Sequence, residues 1–139
     1  MELTIAHRAR YIYPPSIAIS AADILYSKRL IDAIGITTEQ RAIFATDEQG
    51  DWYVSFSTDN TVGIPIIERE NNYHYGKNGQ VWKQHQLRSH NRNLSRQILS
   101  SINAACISAT LLVSTKPIYF NERNWYKFTT KRPFKVKEF

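Results

Sequence analysis

The sequence predicts an α+β fold, with two strand-helix-hairpin repeats forming a tandem pseudo-dimer of small antiparallel sheets. Three observations carry that expectation. Ile24 to Ser57 and Leu87 to Thr130 share one order of signals: strand, capped helix, strand, turn, strand. Each copy closes on a Trp-Tyr pair, Trp52-Tyr53 in the first and Trp125-Tyr126 in the second. Each helix follows a capping side chain, Ser27 or Asn91, and places its apolar residues on one face: Leu30, Ile31 and Ile34 in the first, Leu94, Ile98 and Leu99 in the second.

The elements follow from local chemistry. Leu3 to Tyr13 alternates loosely and reads as a long strand, ended by Pro14-Pro15 because proline cannot donate to a ladder. Ile17 and Ile19 mark a short second strand. In the first repeat Ile24 to Tyr26 is a strand, Ser27 caps the helix and Gly35 stops it. Arg41 to Thr46 and Trp52 to Phe56 then flank the polar loop Asp47-Glu48-Gln49-Gly50-Asp51 as a hairpin. Val62 to Ile67, interrupted by Pro65, suits an edge strand. Asn71 to Gln80 is turn-rich, with Gly76-Lys77-Asn78-Gly79 as its tip, and reads as a mobile loop or protruding hairpin. In the second repeat the helix runs to Ala105 and Ser108 to Ser114 is the next strand. Leu111 to Thr115 and Trp125 to Thr129 then form a hairpin around Lys116-Pro117 and Asn121 to Asn124.

With 139 residues the chain is expected to be a single compact domain, long enough to fold without covalent staples. Within it lie an acidic N-terminal unit (1–70), a basic C-terminal unit (71–130) and a basic tail (131–139) read as an extended or disordered arm. One cysteine, Cys106, excludes an intramolecular disulfide and reads as a buried core thiol. No stretch approaches a signal peptide or a membrane span, so a soluble, cytoplasmic protein is expected.

Ile24 to Val54 resembles the AbrB/MazE swapped-hairpin family. The matching residues are Ile24-Leu25-Tyr26-Ser27, then Leu30-Ile31-Asp32-Ala33-Ile34-Gly35-Ile36, then Thr37-Thr38-Glu39-Gln40 and the hairpin from Arg41 to Val54. They cover about a quarter of the chain, and the second repeat reads as a degenerate copy. Members of that family are usually interlocked homodimers that bind DNA as regulators or antitoxins, so the resemblance implies a fused pseudo-dimer and a DNA-binding role. The sequence departs from the pattern at two places. Ser27 stands where a proline is usual, and Ile31 and Asp32 stand where a basic pair is usual, with Lys28 and Arg29 nearby as substitutes.

Charge points the same way without naming the family. Residues 1–70 hold six Lys or Arg against ten Asp or Glu, a net of −4, whereas residues 71–139 hold twelve against two, a net of +10. No acidic residue falls between Glu70 and Glu122. A basic run of this length suits a polyanion, since each phosphate contact releases condensed counterions. Within it, basic residues interleave with aromatics from Tyr73 to Arg96, a pattern able to hold phosphates and stack on bases. The expected contacts are Lys77, Trp82, Lys83, Arg88, Arg92, Arg96, Lys131 and Arg132.

The function expected is therefore non-catalytic nucleic-acid binding, DNA ahead of RNA and regulatory, by a monomer or weak homodimer. The alternative is a protein-interaction or assembly module, such as a regulatory partner or phage-type accessory factor. No catalytic, metal or cofactor site is expected. His7, His74, His85 and His90 have no metal-binding spacing, no Ser lies in a Gly-x-Ser-x-Gly context, and no Gly-rich phosphate loop is present. A metal-independent ribonuclease assembled from distant His, Arg and Tyr is the minor enzymatic alternative.

Overall fold

The described residues form eleven strands in two sheets and only two helices, so the sheets carry the architecture. The computed structural model describes residues 14–75 and 80–138, with 71–75 and 80–85 described as backbone alone. In chain order the elements are β1 (Ser16–Ile19), β2 (Asp23–Tyr26), α1 (Lys28–Ile34), β3 (Arg41–Thr46), β4 (Trp52–Ser57), β5 (Ile64–Pro65), β6 (Ile67–Tyr75) and β7 (Gln80–His90). There follow α2 (Arg92–Ile102), β8 (Cys106–Leu112), β9 (Ile118–Phe120), β10 (Arg123–Phe128) and β11 (Lys135–Glu138). They build a six-stranded sheet, β11-β8-β1-β2-β7-β6, and a five-stranded sheet, β5-β3-β4-β10-β9, antiparallel throughout.

This overturns the α+β tandem pseudo-dimer. The elements read over Ile24–Ser57 form, as β2, α1 and the β3–β4 hairpin, but β2 lies in one sheet and the hairpin in the other, so they are not one repeating unit. Over Leu87–Thr130 the chain does not close into a hairpin on itself. Its strand β8 joins the six-stranded sheet between β1 and β11, while β10 joins the five-stranded sheet between β4 and β9. The expected pairing of Leu111–Thr115 with Trp125–Thr129 shrinks to one bridge, Val113 with Phe128. The turn chemistry explains the change. Asn121 and Glu122 both adopt positive φ (51° and 61°), the conformation of a two-residue hairpin turn, so β10 folds back on β9. The two segments meet where β2 pairs with β7 and β4 with β10.

Local signals fare better. The Ser27 hydroxyl accepts from Leu30 N (3.1 Å) and also from Ser16 N (3.0 Å), so the helix cap doubles as a tie to β1. Gly35 closes α1 in the left-handed region, at φ 83°. The Asn91 side chain accepts from Leu94 N (2.9 Å) to open α2, which stops at Ile102 and not at Ala105. Pro65 lies in edge strand β5, as its missing donor requires. The tail is neither free nor disordered over 135–138, where it pairs with β8. The strand expected over Leu3–Tyr13 and the turn at Gly76–Gly79 lie outside the described residues.

One core serves both sheets and both helices. Ile17, Ile19, Ile24, Leu111, Val54 and Phe128 are all but inaccessible, and Leu30 and Ile98 bring α1 and α2 into the same cluster. Phe128 stacks on Trp52 (centroids 6.0 Å) and meets Phe44 edge-on (5.9 Å), while Tyr26 crosses from the six-stranded sheet to meet Phe56 edge-on (5.8 Å). Tyr26 brings a hydroxyl into this core, and it is satisfied by Ser89 Oγ at 2.7 Å. Burial pushes its phenol well above the usual range, so it stays protonated. Cys106 is buried, as expected, and its thiol is likewise pushed up by desolvation.

The β3–β4 loop is fixed by Asp47. Its carboxylate accepts from Asp51 N (2.9 Å), Gln49 N (3.0 Å) and the Tyr53 hydroxyl (3.0 Å). These bonds, that from Asp51 N first, hold the carboxyl below its ordinary value.

Two outcomes are expected. Tyr26→Phe leaves the Ser89 hydroxyl buried without a partner and costs about 1–3 kcal/mol, while Tyr26→Phe combined with Ser89→Ala costs less than the single change. Urea unfolding of the three chains measures this. Because the Asp47 carboxyl is depressed in the folded state, its stabilisation is full above the ordinary carboxylate value and is lost as pH falls through the lowered one. Thermal unfolding of Asp47→Asn should therefore trail the parent at neutral pH, and the gap should close on acidification below the carboxylate range.

Candidate nucleic-acid interface

Alternation along the strands gives the six-stranded sheet two unlike faces. Ile17, Ile19, Ile24, Ala109 and Leu111 point into the core, where α2 packs through Ile98 and Leu99. Ala18, Leu25, Ser108 and Thr110 point the other way and floor two adjoining hollows of about 460 and 440 Å³. Together these make one open groove across β8, β1 and β2. Its floor is low where Ala18, Ser108 and Thr110 form it, and its rim is cationic. Lys135 stands opposite Thr110 and Lys137 opposite Ser108 in the β11–β8 register, so both reach the groove side of the edge strand. Lys28 and Arg29, exposed in the first turn of α1, flank the other end.

Arg88 closes the β7 wall. In the β2–β7 register it sits opposite Leu25, with its side chain 12% exposed. Its guanidinium lies 3.8 Å from Asp23 Oδ2 and donates to Gln86 Oε1 at 2.9 Å. Its buried Nε has no hydrogen-bond partner. Asp23, the carboxylate lining the groove, also lies 3.0 Å from His90 Nδ1. The groove's negative charge is thus already shared between two side chains.

Beyond β2, the six-stranded sheet continues as a two-stranded ribbon. The β6–β7 register runs from Ile67 opposite Arg88 to Tyr75 opposite Gln80, whereas β2 covers β7 only over Leu87–His90. The Gln80–Gln86 stretch therefore has β6 as its one partner among the described residues and extends roughly 20 Å at about 3.3 Å per residue. Part of the basic and aromatic run of the sequence lies on this ribbon, with Tyr73 opposite Trp82 and Asn72 opposite Lys83 in the backbone register.

The eight residues expected to bind do not form one cluster. Trp82 and Lys83 lie on the ribbon and Arg88 at its root, in the groove. Lys77 lies outside the described residues. Arg92 and Arg96 are exposed on α2, which packs on the opposite face of the sheet, so they do not converge with Arg88. Lys131 is held by Asp51 (3.3 Å), and Arg132 is exposed beside it in the segment leading to β11. Lys135 and Lys137, which line the groove, are not among the eight. The Lys-Val-Lys alternation was a strand signal that placed both lysines on one face.

No helix among the described residues is long and apolar enough to cross a membrane, and no group of three or more His, Cys, Asp or Glu among them is placed to hold a metal ion. Comparison of the chain with protein-family models, curated proteins and solved structures finds no match.

Proposed function

We propose that the protein is a non-catalytic nucleic-acid-binding protein, with DNA ahead of RNA as ligand and a regulatory role in the cytoplasm. One observation carries the reading: the basic-aromatic ribbon is rooted at Arg88 in a groove rimmed by Lys28, Arg29, Lys135 and Lys137. A phosphate backbone lying along the groove meets cations from both ends of the chain. A two-stranded ribbon is also of a width the DNA major groove admits. The groove contacts carry charge and no base information, so they set affinity and register, and any sequence preference comes from the ribbon.

Electrophoretic shift assays over a salt series test this on duplex DNA, single-stranded DNA and RNA. If four rim cations each neutralise a phosphate of duplex DNA, affinity falls about 10²-fold between 50 and 200 mM salt. Lys135→Ala with Lys137→Ala should weaken binding to all duplexes alike and flatten the salt slope by about two. Arg92→Ala with Arg96→Ala, on the far side of the sheet, should change little. Binding that is flat with salt, or equally lost in both double variants, would remove the groove from consideration.

A further inference from the structure

The five-stranded sheet ends in an edge that the nucleic-acid reading leaves unused. Its last strand, β9, exposes every side chain it has: Ile118 is 51% accessible, Tyr119 71% and Phe120 64%. The pair flanking the two-residue turn, Phe120 with Arg123, is hydrogen-bonded, and the next, Tyr119 with Asn124, is not. Tyr119 therefore turns its own N–H and C=O away from β10, towards an edge with no strand beside it among the described residues. From β9 inward across β10 and β4 to the β3–β4 loop runs a hollow of about 530 Å³ lined by Tyr53, Tyr119, Phe120 and Trp125 together with Asp47 and Glu48. The Trp125 indole is pinned there, donating to Phe120 O at 3.1 Å.

Charge decides what fits. Asp47 stays ionised, fixed by its loop, and Glu48 is exposed next to it. The nearby cations Lys127 and Lys131 are both drawn to Asp51, at 3.3 Å each. Aromatic faces with neighbouring carboxylates attract an ammonium or guanidinium group and repel phosphate. A nucleic acid is thus disfavoured at this face, and a neutral apolar chain would leave the carboxylates unanswered.

We propose that β9 is a docking edge for an extended basic segment of a partner protein, which adds as a strand against Tyr119 and places a Lys or Arg side chain in the aromatic hollow beside Glu48. Main-chain bonding supplies a general affinity for extended peptide, and the hollow supplies the preference for a cation at alternate positions. The inference is independent of the nucleic-acid reading and uses the opposite sheet.

The test is fluorescence anisotropy of labelled peptides with the full chain. The probes are an alternating Val-Lys peptide, an alternating Val-Glu peptide, and a Val-Lys peptide with proline at every second position. The first should bind, and the other two should bind at least about tenfold more weakly. Glu48→Lys, at an exposed loop position where folding is not at stake, should weaken the Val-Lys complex about tenfold, and Trp125→Ala should do the same. Tyr119→Pro, checked by circular dichroism, should abolish it by removing the edge donor. Equal binding of the acidic and basic peptides, or full affinity in the Glu48→Lys chain, would overturn the proposal. So would a Trp125→Ala chain that loses DNA binding and keeps the peptide.

Discussion

The fold depends on one crossing point, where the chain leaving β8 meets β10. Val113 pairs with Phe128, Ser114 N donates to Lys127 O at 2.8 Å, and Thr129 N donates to Leu112 O at 3.2 Å. Val113 N itself donates to Pro15 O (3.0 Å), so the strand is still held by the six-stranded sheet while it pairs with the other. Phe128, directly after this crossing, is fully buried and packs on Trp52 and Phe44. Neither sheet can bury its inner face without the other, since the residues that do so belong to one cluster. Two sheets locked at such a corner behave as one cooperative unit.

Among the described residues, the outer faces of the two sheets have opposite characters. On the six-stranded sheet small residues and lysines make a shallow cationic trough. On the five-stranded sheet aromatics and carboxylates make an acidic hollow. The separation follows from pairing. Lys135 and Lys137 reach the trough because β11 pairs with β8, and Lys127 is kept from adding positive charge to the hollow by Asp51. The −4 and +10 halves of the sequence do not map onto these two faces. Lys28 and Arg29 come from the acidic half, and Trp125 and Tyr119 from the basic one.

What was legible in the sequence is what short-range chemistry determines. Ser27, Gly35 and Asn91 end or open helices by bonds to residues three or four positions away, and Asp47 to Gly50 closes a hairpin by bonds within five. The destination of β8 was not legible. Its alternating Ala109, Leu111 and Val113 fit a hairpin with β10 as well as they fit a slot between β1 and β11. The choice rests on edges supplied from residues 16–19 and 135–138, far away in sequence. The scatter of the expected contacts over the fold has the same origin. Arg88, Arg92 and Arg96 are close in sequence, but the strand-to-helix junction at Asn91 sends them to opposite faces of a sheet, which no count of charges reveals.

The arrangement around Asp23 bears on how a polyanion would be held. Arg88 is mostly buried and already shares Asp23 with His90, so a phosphate entering the groove must compete with a carboxylate for it and gains less there than a bare charge count implies. The rim cations lie at the surface, where a single charge contributes little on its own. Affinity would then come from the number of rim contacts made at once and from counterion release, while Arg88 serves to anchor the ribbon's root. A surface of this kind favours fast, salt-sensitive encounter over tight point recognition. On the function proposed above, any discrimination between sequences would fall to the ribbon, which continues the sheet beyond β2.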